Sequence, residues 1–426
     1  MAVAGTTLLA APASASDYDE QRFEITIENI SNGFDLGASG AFTNPDGSDM
    51  AGPALPGGSY QFDLYANPGD RLSLATMLVQ SNDWFFSPGA EGIALFGADG
   101  TPVDGDITSH FSVIDAGTED DQPAGSGADQ APRQAGPNTG ASDPDSSVRI
   151  VTTTPAVADL IKVTSTAGEG GKFTIKVANV SGDSALPTPL APGVFAVHPD
   201  GEPLFTLGQA DRGEGLEALA EDGGPGDLAS AIGARTGIAT PLAPGVFASD
   251  ASRGHNPIFY DGRAYCRAGI EGLAEDGDPS ILASFLSWRA SGDSGVFTTP
   301  VGGDGPAPLF PGESYQFSMT SRPGDRVGIA TMFVQSNDWF FGTDEQGLSL
   351  FDDGMPVSGD ITAHFGLFDA GTEADQAPGF GSDQAPRQSG PNTGAYDPNS
   401  MVRPVSDNLA GENVASYIKV TVRVID

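Results

Sequence analysis

Hydrophobic and polar residues alternate along this chain in short runs, the two-residue period of strands with one face buried. Phe23-Glu24-Ile25-Thr26-Ile27 and Lys172-Phe173-Thr174-Ile175-Lys176-Val177 show the pattern, as do Ile161-Lys162-Val163 and Ile418-Lys419-Val420-Thr421-Val422. Two other runs, Leu72-Ser73-Leu74-Ala75-Thr76-Met77-Leu78-Val79 and Val327-Gly328-Ile329-Ala330-Thr331-Met332-Phe333-Val334, are apolar at nearly every position. Such runs predict central strands buried on both faces. Short helices are predicted over Gly215–Gly223 and Gly269–Gly277, the latter continuing from Pro279 through Trp288. The sum is an all-β fold of antiparallel β-sandwiches with a few short helices.

Self-similarity organises the chain. Gln80-Ser81-Asn82-Asp83-Trp84-Phe85-Phe86 returns as Gln335-Ser336-Asn337-Asp338-Trp339-Phe340-Phe341, 255 residues later. Asp115-Ala116-Gly117-Thr118-Glu119 returns as Asp369-Ala370-Gly371-Thr372-Glu373, and the loop Gly136–Gly140 as Gly390–Gly394. A period this long predicts two duplicated domains, placed at 22–166 and 170–426. Each copy opens and closes with an alternating strand, and first and last strands are natural neighbours in a sandwich. The second copy carries a doubled insertion over 188–288, in which Pro189–Ala196 returns as Pro241–Ala248 and Gly215–Gly223 as Gly269–Gly277. The first copy has only a dozen residues between Ile30 and Phe42 there and reads as shortened.

Charge narrows the possible partners. Of 426 residues, 57 are acidic and 19 basic, and only four of the basic ones are lysine, for a formal charge of −38. Binding a polyanion needs Lys and Arg against phosphates, so nucleic acid and anionic membrane surfaces are disfavoured. The acidic excess runs along the whole chain without an acidic tail, which suits a salt-rich setting that screens self-repulsion. The 58 glycines and 33 prolines indicate many turns. The single cysteine, Cys266, excludes an intrachain disulfide and reads as a small buried hydrophobe, although Arg263 and Arg267 flank it. No stretch approaches ~18 consecutive apolar residues. Residues 1–15 read as a signal peptide, apolar over Ala2–Ala11 and ending in Ala13-Ser14-Ala15, with mature protein starting near Ser16. The usual basic start of such a segment is missing, as expected if the true start lies upstream.

The segments Ser-Asn-Asp-Trp-Phe-Phe, Asp-Ala-Gly-Thr-Glu, Pro-Leu-Ala-Pro-Gly-Val-Phe-Ala and Gly-Leu-Glu-Ala-Leu-Ala-Glu-Asp-Gly resemble the spondin domain. That is the N-terminal module of F-spondin and mindin, found also in bacterial and archaeal secreted proteins. The resemblance spans nearly all of Lys172–Val424 in the second copy; in the first it holds from Gly40 onward, apart from the first strand. It implies a β-sandwich similar to calcium-and-lipid-binding domains, with calcium held by loop carboxylates. By motif, the implied ligands are Asp338, Asp369 and Glu373 in the second copy and Asp83, Asp115 and Glu119 in the first. Glu373 and Glu119 stand where animal members have Asp. The chemistry is compatible, because Ca²⁺ takes ~6–8 oxygen ligands and carboxylates on loops supply them. Gly371 would allow the tight turn that aims both acids of its motif at one ion. The competing reading has these acids as turn-forming and solvated residues.

Enzyme signals are sparse. Gly292-Asp293-Ser294-Gly295 imitates a serine-protease loop, but its counterpart is Gly37-Ala38-Ser39-Gly40, which fits a turn before a strand. His110 and His364 read as sheet-surface residues. Trp84 and Trp339 are either core anchors or an exposed prong for a partner. Asn29-Ile30-Ser31 and Asn179-Val180-Ser181 are glycosylation sequons in corresponding positions. The expected function is therefore a secreted or cell-surface, non-enzymatic, calcium-binding adhesion protein engaging an extracellular protein or polysaccharide. The alternatives are an extracellular hydrolase, with a pocket in 188–288 lined by His198 or His255 and by Glu221 or Glu275, and a structural surface or matrix component.

Overall fold

The computed structural model describes residues 20–252, 254–260, 262–263, 269–405 and 413–426. The segment read as a signal peptide and Cys266 lie outside the described residues. Among these residues, leaving aside five two-residue strands, the strands are β1 (Gln21–Asn29), β2 (Ala38–Phe42), β3 (Ser59–Tyr65), β4 (Arg71–Leu78), β5 (Trp84–Ser87), β6 (Ser112–Asp115), β7 (Arg149–Ile150), β8 (Ile161–Ala167), β9 (Lys172–Asn179) and β10 (Leu190–His198). Helices α1 (Leu216–Asp222) and α2 (Gly226–Gly233) follow, and then β11 (Gly245–Asp250), α3 (Ile270–Asp276), α4 (Ser280–Arg289) and β12 (Ser294–Phe297). The chain ends with β13 (Ser314–Ser321), β14 (Arg326–Met332), β15 (Trp339–Thr343), β16 (Phe365–Asp369), β17 (Arg403–Pro404) and β18 (Ile418–Ile425).

Two sandwiches result, as the strand pattern predicts. In unit one, the sheet β2-β10-β4-β5-β6-β7 faces the smaller sheet β3-β9-β8. In unit two, β12-β11-β14-β15-β16-β17 faces β13-β1-β18. Helices α1 and α2 cover the outer face of the larger sheet in unit one, and α3 and α4 do so in unit two. This explains the two apolar runs. Leu72 and Leu74 of β4 point into the sandwich, Ala75 of the same strand lies under the helices, and every residue of β4 after Arg71 is buried.

The strand pairing differs from the one expected. The alternating strand β1 pairs not with β8, the last strand of its own copy, but with β13 and β18 of unit two (Ile25 opposite Phe317 and Val422). Its counterpart β9 fills the same slot in unit one, between β3 and β8. The cause is local. The four residues 168–171, which straddle the boundary expected between the copies, make a hairpin turn in which Gly170 and Gly171 take positive φ. Pairing β8 with its neighbour four residues on closes a far shorter loop than a partner at the chain end would. Once β9 occupies that slot, β1 completes unit two.

The boundaries 22–166 and 170–426 therefore do not coincide with the sandwiches. The two halves of the doubled segment 188–288 are also divided, with β10, α1 and α2 serving unit one and β11, α3 and α4 serving unit two. Unit one is not shortened. Its missing element arrives later in the chain, so it is a circular permutation of unit two inserted after β1. Entry and exit lie side by side, as an insertion requires. Leu36 bridges Thr236, Gly237 N–H donates to the Leu36 carbonyl at 2.9 Å, and Arg235 pairs with Asp35.

Candidate metal centres

Three adjacent strands converge on one spot in each unit. Ser81 Oγ accepts from Trp84 N–H at 3.1 Å and donates to the Leu78 carbonyl, fixing the turn that delivers Asp83 to the head of β5. Trp84 lies opposite Asp115, the last residue of β6, and Asp115 lies opposite Arg149 of β7. Unit two repeats the register, with Trp339 opposite Asp369 and Asp369 opposite Arg403. Gly117 and Gly371 then turn the chain at φ 70°, where a Cβ would strike the backbone of 146–147 or 399–401.

The turn places three carboxylates together. One oxygen each from Asp83, Asp115 and Asp121 lie within 4.8 Å of one another, and Asp338, Asp369 and Asp375 repeat the arrangement. Asp83 and Asp338 are fully buried, at 0% exposure. Asp83 Oδ2 accepts from the Thr118 and Glu119 amides at 2.8 and 3.1 Å, while its Oδ1 is buried without a hydrogen-bond partner. Asp338 has the same three features. Arg149 adds one positive charge, reaching Asp115 at 2.6 Å, Asp143 at 2.5 Å and Asp121 at 3.6 Å. Arg403 does the same for Asp369, Asp397 and Asp375. One guanidinium leaves the four surrounding acids mostly uncompensated. Burial first, and then mutual repulsion, raise Asp115 and Asp369 well above the usual carboxylate range.

The sequence-predicted ligands divide. Asp83, Asp115, Asp338 and Asp369 come together, whereas Glu119 and Glu373 do not join the converging oxygens. Glu119 instead accepts from the Gly140 amide at 2.6 Å and from Asn82 Nδ2 at 3.1 Å, clamping the 136–140 loop. Glu373 clamps the matching loop through Gly394 and Asn337. A Cβ on either glycine would collide with the glutamate, so these glycines are required by the clamp. The longer side chain reaches past the centre, and Asp121 or Asp375, two residues on, takes the third position. Internal repetition carried that information, since Asp120 becomes Ala374 while Asp121, Asp143 and Arg149 return as Asp375, Asp397 and Arg403.

Helix α1 brings a further acid. Glu221 is 1% exposed, bonds through one oxygen to the Thr118 hydroxyl, and leaves Oε2 buried and unpartnered; Glu275 of α3 is equivalent at Thr372. Burial raises both carboxyls to about 8, with Glu119 or Glu373 and the adjacent aspartates adding to the shift. Trp84 and Trp339 are core anchors, 6% and 2% exposed, whose Nε1 donates to Asp121 at 2.8 Å and to Asp375 at 3.0 Å.

Other sequence features resolve differently. His198 is fully buried, bonded to Ser73 Oγ at 2.9 Å and to the Asp200 carbonyl at 2.7 Å, and the cavity that Glu221 lines contains no histidine. His255 bonds to the Tyr260 hydroxyl and the Asn256 carbonyl. His110 and His364 lie on exposed 3₁₀ turns and not on strands. Asn29 and Asn179 are 1% exposed and donate through Nδ2 to two carbonyls each, so neither sequon presents its amide in the folded chain.

Oxygens that share one Ca²⁺ at ~2.3–2.6 Å lie no more than about 5 Å apart. The two clusters meet that limit with hard, anionic donors, and each buried Oδ1 lacks the partner that a buried polar atom ordinarily has. The residues present therefore fit a divalent cation. No protein-family model matches the chain, and no curated protein matches it.

Proposed function

We propose that this chain is a secreted, non-enzymatic, spondin-like calcium-binding protein whose two cation centres stiffen loops that engage an extracellular protein or polysaccharide. The observation that carries the reading is the buried, unpartnered Oδ1 of Asp83 and of Asp338, each amid two further carboxylates. Asp83, Asp115 and Asp121 would hold one ion, and Asp338, Asp369 and Asp375 the other. Calcium supplies the positive charge that lets these buried acids remain ionised together. The chain's own residues do the rest. The Thr118 and Glu119 amides orient Asp83, Trp84 holds Asp121, and Glu119 ties the 136–140 loop to the same centre. Among the described residues no helix is long and apolar enough to cross a membrane.

Calorimetric titration of Ca²⁺ into the metal-stripped chain in high salt tests the reading. Two sites are expected, with Asp83→Asn and Asp338→Asn each abolishing one. Retention on cell-surface polysaccharide or protein should require calcium and vanish in the double variant. Absence of binding heat, with an unchanged melting temperature, would refute the calcium centres.

A further inference from the structure

Residues of helices α1 and α2, Glu221 among them, line an open cavity of about 530 Å³. Six acids line it, Asp211, Glu214, Glu217, Glu221, Asp222 and Asp227, and no basic residue does. Two of these are already engaged, Glu217 by Asn138 Nδ2 and Asp222 by Gln134 Nε2. Glu214 and Glu221 each keep an Oε2 that is buried and has no partner, and Glu221 itself is 1% exposed. Of the nearby cations, Arg235 pairs with Asp35 and acts on Glu214 only through its longer-range field, and Arg212 bonds to the Pro203 carbonyl and Thr206 Oγ1. Buried carboxylate oxygens left bare beside an open cavity lack a donor from outside the chain.

The shape of the acidic lining selects the class of ligand. None of the six acids belongs to a group of carboxylates converging closely enough to share a metal ion; among the described residues only the two aspartate centres do. At ~30 Å³ for each water, the cavity also far exceeds a single ion. Spread charge over Ala218 and Ala231 at the wall suits a spread cation with methylenes between its charges. Half of the acidic lining recurs in unit two, where Glu217, Glu221 and Asp222 return as Glu271, Glu275 and Asp276, whereas Glu214 and Asp227 have no acidic counterpart. Asp227 corresponds to Ile281, Ala231 to Phe285 and Glu214 to Ala268, which lies outside the described residues. In place of Asp227, unit two exposes Ile281.

We propose that the α1–α2 cavity binds an extended aliphatic cation carrying ammonium or guanidinium groups, either a lysine or arginine side chain of a partner protein or a free polyamine. Glu214 and Glu221 accept from its charged groups, and Asp211 and Asp227 set the second pole. The site is distinct from the aspartate centres and stands whether or not these hold calcium.

The test titrates spermidine, and separately an acetylated lysine-rich tetrapeptide, into the full calcium-saturated chain at about 1 M NaCl, which screens the general acidic surface. One saturable site per chain is expected. Glu214→Gln with Asp227→Asn should weaken it by about tenfold or more, because charge-assisted hydrogen bonds are lost. Ile281→Ala at the matching place in unit two should leave it unchanged. Tighter spermidine binding supports a free polyamine, and tighter peptide binding supports a partner's side chain. The same double variant should keep both calcium sites and its melting temperature, which separates failure of this site from failure of the metal centres. Lack of saturable binding by either ligand, or equal affinity in the double variant, would overturn the proposal.

Discussion

Replacing Ile25 by Ala tests the exchange of strands directly. Ile25 is fully buried in β1, opposite Phe317 of β13 on one side and Val422 of β18 on the other. Sequence repetition alone assigns it to the first copy, whereas the sheets place it in the core of unit two. Truncating a buried Ile to Ala removes transfer free energy and leaves a cavity, together about 2–5 kcal/mol. With a urea m-value of about 2 kcal/mol/M, the unit-two transition should move down by roughly 1–2.5 M. Trp339 reports unit two and Trp84 unit one, each followed with the other tryptophans changed to Phe. The Trp339 transition should shift while the Trp84 transition holds. Hydrogen exchange adds the same test strand by strand, with β13 and β18 amides losing protection and β3 and β8 amides keeping it. Ile175→Ala in β9 should do the reverse. A shift of the Trp84 transition by Ile25→Ala, with unit two unchanged, would refute the exchange.

Acidity gives a second prediction. Glu221 and Glu275 rise from 4.5 to about 8 on folding, chiefly through burial, so the native state holds protons that the unfolded chain has released. Their stabilising contribution is complete below pH 4.5 and is lost as pH rises through about 8, on the order of 1.4 kcal/mol per pH unit for each group. The calcium-free chain should therefore melt at a higher temperature at pH 5 than at pH 8.5, by differential scanning calorimetry, and saturating calcium should flatten this slope. Gly140→Ala, which drives a Cβ into the Glu119 carboxylate, should cost about 1–3 kcal/mol by urea unfolding and free the 136–140 loop for proteolysis. Arg403→Met strips the guanidinium from Asp369 and Asp397, 3% and 9% exposed at their side chains, and should cost about 3 kcal/mol in chelator but markedly less in calcium.

Strand identity was legible in the sequence because period and burial agree. β1 and β9 alternate since one face meets the core, and β4 and β14 are apolar throughout since helices cover their second face. Partnership was not legible, because a strand's own residues carry little record of which of two equivalent slots it fills. Phe23-x-Ile25-x-Ile27 and Phe173-x-Ile175-x-Val177 would suit either sandwich. What decides is chain connectivity. The glycines of 168–171 make a hairpin, and a reading that places a domain boundary there assigns both strands to the wrong sheets. The segment that then seemed an insertion doubled within one copy follows from the same shift, since a permuted unit places two equivalent elements close together in sequence.

The candidate site shows a parallel limit. Its four core aspartates were readable because the acid and its turn lie in one segment, as in Asp115-Ala116-Gly117. Glu119 was assigned by analogy of position, but reach decides its role. Its carboxylate meets the amide of Gly140, twenty-one residues on, a contact that neither segment announces alone. Glu221 was read as a pocket acid beside a histidine, because the permutation hid that α1 covers the same sheet that carries Asp83. Once α1 is placed there, one glutamate joins two features of unit one, touching Thr118 beside the aspartate centre and lining the acidic cavity. Filling either with positive charge should favour ionised Glu221 and so ease filling of the other, a coupling that is reciprocal by linkage. Spermidine affinity should therefore rise when calcium is bound, and Glu221→Gln should remove the dependence while leaving Glu214 and Asp227 to hold the amine. Identical spermidine affinity with and without calcium in the wild-type chain would show that the two charges do not communicate through this side chain.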